Sequence, residues 1–157
     1  MEDMTTKYLV FSVGIENYGV PIMGVKEIIR YEKITPIRDS QKYLRGVINL
    51  RGKIIPIIDM RIKFGMEERD YDDRTVFVIV ELAGASESYY IGMAVDAVQE
   101  VYDISEKDVE LPPEVGLKMK KHFLEGIAKV REKMIMILNV ERILTTEEIL
   151  QVADRAS

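Results

Sequence analysis

Few residues of this chain are of a type that can do chemistry on a small molecule. His122 is the only histidine, and there is no cysteine. His122 follows Lys118-Met119-Lys120-Lys121, and no G-x-S-x-G motif occurs. A Ser-His-Asp or Cys-His device therefore has nothing to build on, and the residue reads as an ordinary surface histidine. Without a His pair, a Cys ligand or a D-x-D-x-D-G loop, no metal site is expected. Leu50-Arg51-Gly52-Lys53 contains a Gly-Lys step but lacks the preceding glycine and following Ser/Thr of a phosphate loop. No catalytic residue and no cofactor is assigned. Glu67, Glu68, Asp70, Asp72 and Asp73 read as a solvated acidic surface.

Two charges stand apart. Glu27 lies between Val25 and Ile28-Ile29, and Arg51 closes a predicted hairpin between Leu50 and Ile54-Ile55. An acid and a base on apolar rims can pair, each holding the other in place. An exposed pair is worth only about 0–1 kcal/mol, so its purpose is architecture or a partner, and the residues leave both open.

The architecture reading gains from an internal echo. Residues 43–59 lie over residues 123–139 at an offset of 80. Upstream, Gly19-Val20-Pro21-Ile22 with Val25, Glu27 and Ile28 matches Gly92-Met93-Ala94-Val95 with Val98, Glu100 and Val101 at an offset of 73. Glu100 and Arg131 thus stand where Glu27 and Arg51 stand. Glu132 replaces Gly52, so the turn type of the second hairpin is expected to differ. Two similar units imply two like subdomains facing each other, with a seam between them as the natural binding place.

The bulk numbers set the frame. At 157 residues, each half is too small to bury much surface alone, so the halves are expected to pack together. A net charge of −5, with basic residues scattered among acids, argues against nucleic-acid binding, which needs a basic stripe to displace phosphate counterions. The lack of cysteine suits a reducing compartment. No apolar run reaches the roughly 18 residues of a membrane span, and Met1-Glu2-Asp3-Met4 lacks the pattern of an export signal. A soluble, cytoplasmic protein is expected. Most of the nine methionines are expected to fill core.

Strands are expected over residues 8–13, 18–21, 75–80, 89–95 and 98–104, from β-branched and aromatic runs bounded by turn residues. Val25 to Ile29 is too short for periodicity to separate strand from helical turn. Ser40 is a candidate cap for one helical turn through Leu44. Hairpins are expected at 47–58, turning at Arg51-Gly52, and at 126–138. Asp59 caps a short helix closed by Gly65, and Thr145 with Glu148 opens a terminal helix. Residues 67–74 connect the halves. Some five short strands per half, with little helix, suggest small closed barrels.

The block Gly46-Val47-Ile48-Asn49-Leu50-Arg51-Gly52-Lys53-Ile54-Ile55-Pro56-Ile57-Ile58-Asp59-Met60-Arg61 resembles the signature of the CheW family, the bacterial chemotaxis coupling proteins. Tyr18-Gly19-Val20-Pro21-Ile22, Val25-Lys26-Glu27-Ile28, Ile34-Thr35-Pro36-Ile37 and Gly92-Met93-Ala94-Val95-Asp96 fit its pattern in order and spacing, and the likeness covers about residues 7 to 150. Arg38 and Gln41 stand where many members have prolines. The resemblance implies a mainly all-β fold: two SH3-like five-stranded β-barrel subdomains related by pseudo-twofold symmetry, with short helices and a C-terminal helix. Residues 1–157 would form one domain, with approximate barrels at 15–66 and 75–145 and termini crossing between them.

It also implies a role without chemistry, as an adaptor bridging the histidine kinase CheA, through its regulatory domain, to the cytoplasmic tips of methyl-accepting chemoreceptors. Such a protein is cytoplasmic, recruited to membrane-associated arrays without inserting in the membrane. The family's receptor-coupling positions fall on Val25, Glu27, Gly46 and Arg51, with Ile28 adding apolar area for a receptor helix in the seam. Kinase contact is expected on the second barrel, at Val98 and Val101, which core packing would explain equally well. The chain's end at Ser157 leaves no room for a fused receiver and suggests a freestanding coupler. The competing reading is a small enzyme with an acidic active site in the inter-barrel seam.

Overall fold

A computed structural model describes residues 4–37, 41–83, 87–111 and 123–143. His122 and the predicted terminal helix at Thr145 lie outside these residues. The strands are β1 (Thr5–Val13), β2 (Glu16–Pro21), β3 (Val25–Arg30), β4 (Leu44–Leu50), β5 (Lys53–Asp59), β6 (Val76–Leu82), β7 (Tyr89–Val95), β8 (Ala97–Ser105), β9 (Val109–Glu110), β10 (Leu124–Val130) and β11 (Lys133–Leu138). Helix α1 (Met60–Lys63) is the one α-helix among the described residues, and 3-10 turns occupy Ile22–Gly24, Glu106–Asp108 and Val140–Arg142. The ambiguous segment after Val25 is therefore strand. Residues 42–43 form a turn leading directly into β4, not the helical turn expected there.

The strands form two sheets, each the wall of an SH3-like barrel. One runs β3-β6-β7-β5-β4, the other β8-β1-β2-β11-β10 with β9 added at its edge. The repeat is visible in the register. Ile57 pairs with Gly92 in the parallel contact of β5 with β7, and Ile137 pairs with Gly19 in that of β11 with β2. Both hairpins carry the same bulge, between Leu44 and Gly46 and between Leu124 and Gly126.

The barrels are not divided at 15–66 and 75–145. Strands β6 and β7, from the second half of the chain, complete the barrel of β3–β5, while β1 and β2 complete the barrel of β8, β10 and β11. The crossing involves whole two-stranded hairpins and not termini alone. Each sequence repeat thus contributes to both barrels.

Burial explains why the apolar runs are continuous. Successive side chains of a strand point to opposite faces, and here both faces are covered. Phe77 and Ile79 of β6 enter one barrel with Ile48, Ile55, Ile57 and Ala94. Val78, Val80 and Leu82 of the same strand enter a cluster shared by the two barrels. In the other barrel Val10 faces inward with Ile135 and Ile137, while Leu9, Phe11 and Val13 join the shared cluster. That shared cluster holds more buried side chains than both barrel interiors together. At about 1.5–3 kcal/mol per fully buried aliphatic or aromatic side chain, it is the main source of apolar stabilisation. The seam is therefore filled by the chain itself and is not an open trough.

Candidate functional site

The predicted acid and base do meet. Arg51 donates to Glu27 in a pair that bridges the turn of the β4–β5 hairpin and strand β3. Arg51 and Gly52 both have positive φ, 50° and 89°, and the Gly52 N–H donates to Asn49 Oδ1 at 2.9 Å. This is a type I′ turn, whose twist suits a tight hairpin. The pair sits beside the open end of the first barrel, where a cavity of about 230 Å³ is lined by half-buried Leu50 and, beneath it, by Ile55 and Ile79 of the barrel interior. Lys26, Lys53 and Tyr90 complete its rim, with the Lys53 ammonium 4.4 Å from the Tyr90 ring centre. Lys26, Lys53 and Tyr90 were not among the sequence candidates. The echo of Lys53 in Lys133 was the available signal.

The remaining receptor candidates separate by burial. Ile28 is 43% exposed and faces outward from β3. Val25 is half-buried and packs against the margin of the shared cluster, as Ile22 and Val140 do. Gly46 is buried. Its φ is 146°, and a Cβ there would stand 2.2 Å from the Thr35 carbonyl oxygen. It lets β4 pass under the bridge of Thr35 to Val47, so it shapes the site from beneath instead of offering a contact surface.

The margins of the seam differ. At one, Arg61 grips Asp96 with two hydrogen bonds, at 3.0 and 2.7 Å, and the Gly14 N–H donates to the same carboxylate at 2.7 Å. Met23 stands where the repeat puts Asp96 in the other copy, and it is 93% exposed beside half-buried Ile22 and Val25. One margin is thus tied by ions and the other is apolar.

In the second barrel, Val98 is half-buried against the shared cluster and Val101 is 46% exposed on β8. Ile28 and Val101 are echo partners with nearly equal exposure, and the echo partners Ile54 and Met134 are both exposed as well. Arg131 lies 3.6 Å from Glu100, both largely exposed. The second hairpin turns with φ of 48° at Arg131 and 68° at Glu132. Its turn is of the same type as the first, against expectation, because the flanking strand twist imposes it whatever residue is present. The barrel end here is closed by polar contacts. Lys133 donates to Gln99 Oε1 at 3.0 Å and to the Tyr102 hydroxyl at 3.3 Å, and Gln99 bonds Asn17.

Acidic groups do gather in one small cleft, around Asp59, Asp70, Asp72 and Asp96. Each of the central two is engaged. Asp59 caps α1 by accepting from the Ile62 N–H at 3.1 Å, and it accepts from the Tyr71 hydroxyl at 2.9 Å and from Arg45 at 3.3 Å. Burial pushes the Asp96 carboxyl upward, but the bonds from Arg61 and Gly14 and the charges of Arg61 and Arg69 outweigh it, and the net shift is downward. A proton-transferring carboxyl at neutral pH needs the opposite shift. Nothing here favours the acidic enzyme.

Comparisons with known proteins agree on one family. Residues 7–148 match the CheW-like domain. The chain is 32% identical over 147 residues to a protein of Klebsiella aerogenes named "Chemotaxis protein CheW", covering 94% of this chain and 86% of that one. A protein of the same name from Treponema pallidum is 28% identical, covering 98% and 91%. Among solved structures, the scaffolding protein TtCheW of Thermoanaerobacter tengcongensis superposes with a TM-score of 0.82 at 39% identity, over 92% of this chain and 96% of that chain.

Proposed function

Because this chain belongs to the CheW family of chemotaxis adaptor proteins, we propose that it couples the cytoplasmic tips of chemoreceptors to the regulatory domain of the histidine kinase CheA. The single observation that supports this most directly is the Glu27–Arg51 pair, which borders a surface cavity with an apolar floor. A pair at 28% and 71% exposure adds little to stability, so its placement is better explained by a partner. Receptor contact is assigned to Val25, Glu27, Ile28 and Arg51, with Gly46 supporting β4 from below. Apolar anchors ringed by polar groups are the usual composition of a binding hot spot. Kinase contact is assigned to the second barrel through Val101, with Val98 behind it. The protein acts in the cytoplasm and joins membrane-associated arrays through its partners, and it performs no catalysis.

Capture of a receptor fragment and of the kinase regulatory domain, each measured separately, tests the assignment. Arg51→Glu sets two acids side by side and is expected to weaken receptor capture by about tenfold or more while kinase capture is kept. Val101→Asp is expected to do the reverse. Unchanged receptor capture by Arg51→Glu would overturn the receptor assignment, and unchanged kinase capture by Val101→Asp would overturn the kinase one.

A further inference from the structure

The two barrel ends carry nearly the same residues and are built differently. Glu27, Arg51, Lys53 and Ile55 at the first have Glu100, Arg131, Lys133 and Ile135 as echo partners at the second. At the second end, Tyr102 is buried inside the barrel, 6% exposed, and its hydroxyl accepts from Lys133. Gln99 and Asn17 then close over it with Lys133. At the first end, Ile29 replaces Tyr102, Lys26 replaces Gln99 and Tyr90 replaces Asn17. Ile29 packs against the barrel interior and has no hydroxyl for Lys53 to reach, and Lys26 cannot accept a bond from Lys53. Lys53 turns instead onto the Tyr90 ring, and the cavity of about 230 Å³ stays open.

The charge of that opening is opposite to that of the molecule. Lys26, Arg51 and Lys53 face one acid, Glu27, on a chain of net charge −5. Glu27 is already committed to Arg51, and Lys26 forms no ion pair among the described residues. The space is smaller than the roughly 300–1,000 Å³ typical of small-molecule pockets. It suits one side chain entering end-on over Leu50, Ile55 and Ile79.

We propose that the open end of the first barrel is a socket for a single aliphatic side chain of an acidic partner segment, with flanking carboxylates of that segment held by Lys26 and Lys53. The second barrel, closed by Tyr102, Lys133, Gln99 and Asn17, does not take such a side chain. This inference rests on the coupling role and names the chemistry of the partner at the site where Glu27 and Arg51 lie.

A methyl-resolved NMR titration of the full chain, labelled at isoleucine, tests it with blocked peptides of sequence Glu-Glu-Leu-Glu-Glu, Glu-Glu-Gly-Glu-Glu and Lys-Lys-Leu-Lys-Lys. The leucine-bearing acidic peptide is expected to shift the Ile55 and Ile79 methyls saturably, while the Ile135 methyl of the second barrel stays fixed. The glycine and lysine peptides are expected to leave all three unmoved. Lys26→Glu with Lys53→Glu should weaken the response at least about tenfold, and added salt should weaken it further. Equal shifts from the lysine or glycine peptide, or movement of Ile135 alongside Ile55, would overturn the socket. Silent methyls together with lost receptor capture in Arg51→Glu would remove the socket and keep the coupling role. Responsive methyls with intact capture in Arg51→Glu would keep the socket and remove the receptor assignment.

Discussion

Glu132 occupies a backbone conformation that glycine holds in the equivalent turn. Its φ of 68° follows that of 48° at Arg131, whereas the first hairpin offers Gly52 at 89°. A side chain in this region costs about 1–2 kcal/mol, partly offset by the lower unfolded-state entropy of a non-glycine residue. Glu132→Gly is therefore expected to stabilise the protein by about 0.5–1 kcal/mol, seen as a rise of about 1–4 °C in thermal midpoint. Gly52→Glu should cost a similar amount. An unchanged or lowered midpoint for Glu132→Gly would mean the turn is not strained. At Gly46 the constraint is contact with the backbone of Thr35, so variants there report on folding before they report on partners.

At the level of elements, the β7–β8 corner is held by one carboxylate. Asp96 receives Arg61 of α1 and the Gly14 N–H from the β1–β2 turn, so it ties both sheets together. Its carboxyl is held below the usual range. A depressed folded-state value stabilises the fold above the unfolded value of about 3.9, and that contribution is lost as pH falls through the folded-state value. Asp96→Asn is expected to cost about 2 kcal/mol at pH 7, as for hydrogen bonds to a charged group. Denaturant unfolding at several pH values should show this gap shrinking as pH drops below about 4. A gap that stays constant with pH would show that packing, not charge, is at stake. Residues 67–74 read as a mere connection in the sequence. In the fold, Tyr71 donates to Asp59 and packs against Tyr31 and Phe77, with the Arg45 guanidinium over its ring, so the segment is a clamp. Its charge density hid this, because one aromatic among acids gives no periodic signal.

For the whole molecule, the exchange of hairpins makes the two halves of the chain interdependent. A fragment of residues 1–74 would carry β1 and β2 without β8 and β11, and β3–β5 without β6 and β7. Neither part could bury its apolar face. Such a fragment is expected to be unfolded as a monomer by circular dichroism, and mixing it with residues 75–157 should restore the native spectrum. A monomeric fragment with a sharp unfolding transition would contradict the exchange. The same interdependence links the two proposed binding surfaces, since both sit on barrels anchored by the shared cluster.

The residues alone determined the hairpins, the capped helix after Asp59, the duplicated plan and the meeting of Glu27 with Arg51. These depend on neighbours in the chain or on a repeated pattern, and turn chemistry and alternation record both. Only the tertiary structure decided which strands close which barrel, because pairing within a repeat or across repeats buries the same side-chain faces and leaves the same alternation. It also decided that the seam is core, that one barrel end is open and the other shut, and that Gly46 lies underneath. Those outcomes turn on which side chains meet across a closed barrel, Lys133 with Tyr102 at one end and Lys53 with Tyr90 at the other, between residues far apart in sequence.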